Sequence, residues 1–157
     1  MKDIEELFEI IPNYPAMNLA LINDGFLDIK DTFIKFAKEI DASLHIKDTS
    51  TALKTKENQL LTEPFDFGQK RYNSHSVLYD FLFLAADTET LELEMVLKKI
   101  YRVLKNAAHL FLFCKNEDID KTIKLLETCN YVAINPVDSY KDLMIISAKK
   151  MHGWAKV

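Results

Sequence analysis

The chain has 157 residues, a net charge of −4 and a hydrophobic fraction of 48%. This length fits one domain with a substantial apolar core. The charge lacks the basic excess of nucleic-acid-binding proteins, which argues against a DNA or RNA partner. No apolar run reaches the roughly 18 residues of a membrane span, so we expect no membrane insertion.

The N-terminus and the cysteines indicate the cytoplasm. The first 15 residues are acidic and amphipathic, unlike the positively charged, then apolar start of a secretory signal. Cys114 and Cys129 form neither a metal-ligand pair nor a disulfide framework. The four histidines also lack metal-ligand spacing, so no bound metal is expected, and only His75, in a long loop, is a candidate for function.

Periodicity in the first half of the chain predicts helices alternating with short strands. The predicted elements are a helix over 3–11, a strand over 18–22, a helix over 26–41, a strand over 43–47, a helical turn around 51–56 and a strand over 58–62. Residues 63–76 are polar and aromatic and contain Pro64 and Gly68, which predicts a long loop that is irregular or mobile.

The second half continues the alternation and ends in two strands. The predicted elements are a strand over 79–85, a helix over 90–105, a strand over 109–113, a helix over 119–129 and strands over 131–136 and 143–148. The last two strands are close enough to pair as an antiparallel hairpin. Helices between buried strands predict right-handed βαβ units and a mostly parallel sheet.

The segments YDFLFL, LKKIYRVLKNAAHLFLF, IDKTIKLLETCNYVAI and KDLMIISAKK resemble the C-terminal half of the class I S-adenosylmethionine-dependent methyltransferases, which closes with a β-hairpin. In the N-terminal half, NLALINDGF, LHIKDTSTAL and EPFDF are similar to the cofactor-binding segments of that family. The resemblance covers residues 17–149. It implies an α/β, doubly wound, Rossmann-like fold with a seven-stranded sheet in the order 3-2-1-4-5-7-6.

We therefore predict a single methyltransferase-like domain over 1–157. Residues 1–16 form an N-terminal helix and a proline-containing lead-in, 17–149 the core and 150–157 a tail. A receiver-like domain using Asp24, Thr88 and Lys115 is the rival fold, but it leaves the closing hairpin unexplained.

The resemblance implies S-adenosylmethionine as the cofactor and suggests where it would bind. Asn23, Asp24 and Gly25 occupy the place of the glycine-rich cofactor loop. Asp48 would accept the ribose hydroxyls, Asp66 or Glu63 would read adenine, and Asp87 would lie near the methyl acceptor. Each acid has a simpler alternative role in a turn or helix cap.

The sequence departs from the family where the cofactor would bind. It has three glycines, and its loop after the first strand keeps only Gly25. We expect the bulk of Ile22 and the charge of Asp24 to obstruct the methionine carboxylate of the cofactor. Asn106 and Asn130 replace glycines that end helices, and asparagine tolerates the left-handed conformation needed there.

Two functional interpretations remain open. The domain is either a degenerate methyltransferase-like module (a pseudoenzyme) that binds a protein partner or forms a homodimer, or an active small methyltransferase with an atypical cofactor loop. Aromatic and aliphatic side chains dominate interfaces. The candidate interface residues are Leu7, Phe8 and Ile11 of the first helix, Phe65, Phe67 and Tyr72 of the long loop, and Trp154 of the tail.

Overall fold

Eight strands form one mixed sheet in the computed structural model, which describes residues 3–151. The strands are β1 (Asn18–Asn23), β2 (Ser43–Asp48), β3 (Thr55–Glu57), β4 (Leu60–Pro64), β5 (Tyr79–Ala85), β6 (Leu104–Lys115), β7 (Tyr131–Tyr140) and β8 (Leu143–Lys150). The helices are α1 (Glu5–Phe8), α2 (Lys30–Glu39), α3 (Leu93–Tyr101) and α4 (Ile119–Thr128). None of the helices described is both long enough and apolar enough to cross a membrane.

The sheet order is β3-β4-β2-β1-β5-β6-β8-β7. Without β3 this is the predicted order of seven strands, and β7 and β8 pair antiparallel as predicted. The hairpin closes through Lys141 and Asp142, whose φ angles of 45° and 62° are both left-handed, as a tight two-residue turn requires. The prediction of seven strands is wrong by one, because residues 55–57 form a strand where a helical turn was expected.

The extra strand β3 follows from a short connection. β2 and β4 are parallel neighbours, so between them the chain must return from the carboxyl end of β2 to the amino end of β4. Only residues 49–59 are available, and β3 makes the return along the outer edge, antiparallel to β4. Asn58, with a φ of 53°, turns the chain into β4. No helix therefore covers the sheet between β2 and β4.

Two apolar clusters cover the two faces of the sheet. On one face α1 and α2 pack against alternate strand residues such as Leu21 and Phe83. On the other face α3, α4 and the loop 65–78 pack against residues such as Ile22 and Leu84. Both cysteines are buried free thiols.

The helix predicted over 90–105 ends early, at Tyr101. The chain then joins the sheet, because the Tyr79 amide donates a hydrogen bond to the Val103 carbonyl at 2.9 Å and Tyr79 pairs with Leu104. Asn106 consequently lies inside β6, and the expected left-handed cap at this position is wrong. Asn130, with a φ of 72° after α4, adopts the left-handed conformation as predicted.

The loop 65–78 contains neither helix nor strand, which confirms the irregularity predicted for 63–76 except at Glu63 and Pro64, which belong to β4. It is nevertheless fastened to the body of the domain. Lys99 Nζ of α3 donates hydrogen bonds to the carbonyls of Phe67 and Gln69 at 3.3 and 2.6 Å. Phe65 and Tyr72 are buried in the core.

The predicted interface residues are therefore mostly core residues. Leu7, Phe8 and Ile11 of the first helix are at most 7% exposed, and Phe65 and Tyr72 of the loop are equally buried. Phe67 is partly buried and packs against the same cluster as Phe65. Trp154 lies outside the described residues.

A buried lysine ties the loop to the sheet. Lys47 of β2 is 1% exposed, and its Nζ donates to Glu63 Oε1 at 2.8 Å and to the carbonyl of Asn73. The other carboxylate oxygen of Glu63 lies 2.7 Å from Nε2 of His75. Burial alone would raise the pKa of Glu63, but hydrogen bonds and charges from Lys47 and His75 hold that pKa below its ordinary value.

His45 lies beside this ion pair on the same face of the sheet. Its Nδ1 is 2.8 Å from the hydroxyl of Tyr79, and its ring packs edge-on against His75. Burial, helped by the nearby His75 and Lys47, lowers the pKa of His45 to about 4. His45 is consequently neutral at pH 7.

We predict that Lys47→Ala lowers the free energy of unfolding by about 3 kcal/mol, because it leaves the carboxylate of Glu63 without its buried partner. Urea denaturation measures this difference. Lys98→Ala is the matched control, since its 3.8 Å pair with Glu94 is exposed and should contribute less than about 0.5 kcal/mol. Equal effects of the two substitutions would contradict the role of Lys47.

We predict that acid destabilises the domain through His45. Because its folded pKa is lowered to about 4, the unfolded chain binds more protons between pH 6.5 and pH 4, and stability falls as the pH falls through that window. The loss should be about 2 to 3 kcal/mol. In His45→Gln the slope of stability against pH, measured by urea denaturation at several pH values, should be clearly shallower. An unchanged slope would show that His45 is not the titrating group.

Candidate functional site

The predicted site residues meet at one edge of the sheet. Asn23, the last residue of β1, pairs with Asp48 of β2 on one side and Ala85 of β5 on the other. These are the carboxyl ends of parallel strands, where open α/β sheets bind their ligands. Asp24, Gly25, Asp66 and Asp87 follow these strands or β4 within two residues.

Asp24 joins the loops that follow β1 and β5. Its amide donates to the carbonyl of Ala85 at 3.3 Å. Its carboxylate accepts one hydrogen bond from the Phe26 amide at 2.7 Å and one from the Asp87 amide at 3.0 Å. A single side chain thus fixes two loops that would have to flank any ligand at this edge.

Gly25 makes the turn between β1 and the residues leading to α2. Its φ of +83° is left-handed, which glycine adopts without strain. Its amide donates a long hydrogen bond of 3.4 Å to Oδ1 of the buried Asn23. A Cβ at this position would meet no described atom within 4 Å. Glycine is therefore needed here for backbone direction, and the space beside it is open.

The expected obstruction by Ile22 is wrong. Ile22 is completely buried and packs with the cluster that contains Leu84 and Leu97. Its side chain points into the sheet face under α3, so it does not fill the loop. Any obstruction of the loop comes from the Asp24 carboxylate alone.

Asp48 is the least accessible of the candidates. Only 2% of its surface is exposed. Oδ1 accepts hydrogen bonds from the amide and hydroxyl of Ser50 at 2.9 and 2.8 Å, and Oδ2 lies 3.3 Å from Lys30 Nζ. Burial would raise the pKa of Asp48, but Ser50 and Lys30 hold it below its ordinary value. Three of about four acceptor positions of the carboxylate are thus occupied by the chain itself.

The remaining acids make local turns or belong to other contacts. Asp66 is exposed, and its Oδ1 accepts the Gly68 amide at 2.9 Å. Oδ1 of Asp87 accepts the Glu89 amide at 3.1 Å. Glu63 forms an ion pair with Lys47. Its contacts therefore do not support the alternative prediction that Glu63 recognises adenine.

A cavity of about 590 Å³ opens at the same edge, between the loop after β5, α3 and α4. Its lining includes the carboxylates Glu89, Glu92, Glu94 and Asp118 and the amine of Lys121. Glu89, Asp118 and Glu117 bring carboxylate oxygens within 4.8 Å of one another, and Lys115 Nζ lies 2.6 Å from Glu89. The excess of carboxylates would favour a cationic group in this cavity.

Lys30 and Ser50 are site residues that the sequence does not identify. Ser50 stands two residues after an aspartate, a spacing that indicates a local turn. The spacing does not indicate that this turn occupies acceptor positions of Asp48 that a ligand would need. Lys30 is one of several charged residues along the polar face of α2, and nothing in its spacing singles it out. Its position opposite Asp48 depends on the angle at which α2 packs on the sheet.

No family model matches the sequence, and no curated protein matches it either. Solved structures do resemble it. Phosphoethanolamine N-methyltransferase 2 of Haemonchus contortus, in complex with S-adenosyl-L-methionine, has a TM-score of 0.74 at 10% identity, over 95% of this chain and 52% of that enzyme. The CurJ carbon methyltransferase has a TM-score of 0.65 at 12% identity, over 94% of this chain and 52% of that one. The chain thus spans about half the length of these two enzymes.

A third structure is similar over nearly its whole length. The S-adenosylmethionine-dependent methyltransferase of Mesorhizobium loti has a TM-score of 0.69 at 13% identity, covering 92% of this chain and 96% of that one. All three share with this chain a fold at low sequence identity. The chain therefore has the fold of the class I S-adenosylmethionine-dependent methyltransferases.

Proposed function

We propose that this chain is a methyltransferase-like module that acts by binding a protein rather than by transferring methyl groups. The observation that carries the proposal is that Asp48 is buried and already hydrogen-bonded within the chain. The residue that would hold the ribose hydroxyls is 2% exposed and hydrogen-bonded to Ser50 and Lys30. Only about one acceptor position of the carboxylate is free, so two ribose hydroxyls could bind only by displacing one of these partners, which would cost the free energy of its hydrogen bond.

Electrostatics at the neighbouring loop support the same proposal. Asp24 places a negative charge where the methionine carboxylate would lie, and two amides fix its position. Two carboxylates held close together repel each other, and each disfavours the ionised form of the other. A cofactor carboxylate beside Asp24 would therefore bind less favourably. The loop would have to break the bond between Asp24 and Asp87 to turn this carboxylate away.

A second candidate function is an active small methyltransferase with an atypical cofactor loop. The open space beside Gly25 favours it, because a ligand could approach the backbone there. The cavity that begins at Thr88 and Glu89 would then receive the methyl acceptor. The Haemonchus enzyme of the same fold was solved with S-adenosyl-L-methionine bound.

The partner would be another protein or a second copy of this chain. Several apolar side chains of the described residues are exposed and available for contact. They are Ile10, Tyr14, Phe26, Leu53, Leu78, Met95 and Val137. Leu53 is 77% exposed, beside the edge strand β3. A closed two-fold dimer is the commonest assembly of soluble homo-oligomers.

We predict that S-adenosylmethionine binds weakly or not at all. Isothermal titration calorimetry should give no dissociation constant in the low micromolar range, and the ligand should not shift the melting temperature. A ligand at 100 times its dissociation constant would stabilise the domain by about 2.7 kcal/mol, which raises the melting temperature of a domain of this length by about 5 to 11 °C.

A low micromolar dissociation constant for the wild type would contradict the proposal and favour the enzyme. In that event Asp48→Ala should weaken binding by about 1 to 3 kcal/mol, because the ribose would lose its acceptor. The variant Lys30→Ala is the matched test of occlusion, since it frees Oδ2 of Asp48 without removing the carboxylate. It should strengthen whatever binding the wild type has.

We predict that the purified chain self-associates, with a mass that rises toward that of a dimer as concentration increases. Light scattering over at least a tenfold concentration range measures this. Leu53→Ser and Met95→Ser serve as controls for each other, because each removes an exposed apolar side chain from a different place, Leu53 from the loop before β3 and Met95 from α3. A monomeric mass at every concentration, with no protein recovered on the immobilised chain, would contradict the proposal.

A further inference from the structure

Both arginines of the sequence line a single cavity. Arg71 and Arg102 are the chain's only arginines, and they meet in a cavity of about 450 Å³ between the loop 65–78 and the end of α3. Tyr72, Ser74, Lys99 and Val103 complete its lining. The lining thus contains three cationic side chains and no carboxylate, in a chain whose net charge is −4.

Neither guanidinium has an acidic partner within residues 3–151. The ion pairs and hydrogen bonds of these residues include none made by the side chain of Arg71 or Arg102, although the Arg71 carbonyl accepts a hydrogen bond from Gln69 Nε2 at 3.0 Å. Both guanidinium groups are therefore free of ion pairs within these residues, and both line the same cavity.

The walls of the cavity are fixed without a ligand. Lys99 Nζ holds the carbonyls of Phe67 and Gln69, and it lies 5.5 Å from the centre of the Tyr72 ring. The Tyr72 hydroxyl donates to the Phe67 carbonyl at 3.1 Å. These contacts fasten the residues flanking Arg71 to the helix that precedes Arg102.

The cavity lies away from the edge that carries the predicted cofactor residues. Val103, in its wall, accepts the hydrogen bond of the Tyr79 amide at the first residue of β5. The carboxyl end of β5, with Asp87 beyond it, is at the other edge of the sheet. A ligand in this cavity would bind whether or not the domain uses S-adenosylmethionine.

We propose that this cavity is an oxyanion site that binds a phosphate monoester. The guanidinium group presents a planar fork of donors that matches two oxygens of a phosphate group. Two such forks, the charge of Lys99 and the hydroxyl of Ser74 suit a doubly charged anion with three free oxygens. Burial, together with the charge of Asp66, raises the pKa of Tyr72, but Asp66 does not line the cavity.

A simpler role explains only part of the arrangement. Lys99 and Arg102 lie at the C-terminal end of α3, where cations stabilise the helix dipole. That role gives no reason for Arg71, which comes from the loop 65–78 and faces the same space. It also predicts that phosphate should not bind, so the two interpretations can be separated.

The test is a titration of the full chain with inorganic phosphate at constant ionic strength, followed by two-dimensional NMR. We expect saturable shifts confined to the amides around residues 71–74 and 99–103. Arg71→Ala and Arg102→Ala should each weaken binding by about tenfold, the effect of losing one charge-assisted hydrogen bond. Lys98→Ala removes the same charge from the same helix outside the cavity and should leave binding unchanged.

Two further arms identify the source of the phosphate group. Glycerol 3-phosphate should compete with inorganic phosphate if the ligand is a soluble monoester. Binding only to vesicles that contain phosphatidic acid would assign the site to a lipid headgroup instead. Absence of saturable shifts with every probe, or equal weakening by Lys98→Ala and Arg102→Ala, would overturn the proposal and leave the helix dipole as the explanation.

Discussion

One buried ammonium group ties the sheet to the long loop that covers one of its faces. Lys47 sits inside the sheet layer, where an unpaired charge would be very unfavourable. Its partners come from two places: Glu63 on the adjacent strand, and a carbonyl at Asn73 in the long loop. The loop must therefore fold back over the face of the sheet to complete the contacts of the lysine. This requirement explains how 65–78 can be irregular and still cover a core.

The order of the sheet could be predicted from the sequence because it depends on local patterns, namely apolar runs and the spacing between them. Apolar runs such as 79–85 mark buried strands, and the short spacing between 131–136 and 143–148 marks a hairpin. The strand β3 could not be predicted in this way, because residues 55–57 are polar and exposed. Its existence follows from the pairing partner β4 and from the short return path, which are tertiary properties. The early end of α3 has the same cause, since Leu104 leaves the helical pattern to pair with Tyr79 in the sheet.

The location of the candidate site could likewise be predicted, but the hydrogen-bond partners of its acids could not. A parallel sheet brings the residues after β1, β2 and β5 to one edge, so Asp24, Asp48 and Asp87 had to converge. Whether such acids face a ligand or the protein depends on which donors reach them. The side chain that pairs with Asp48 is Lys30, the first residue of α2. Sequence spacing carries no information on that contact, because the packing of α2 on the sheet creates it.

The strand that replaces a helix between β2 and β4 also covers β4 at one side of the sheet. β3 has only three residues, and all three are exposed, including Lys56 and Glu57. Short, charged edge strands discourage another chain from adding to the sheet. Behind β3 lies β4, with Leu60, Leu61 and Thr62 in its ladder. If β3 detached, the more apolar β4 would become a free edge of the sheet, to which another chain could add a strand.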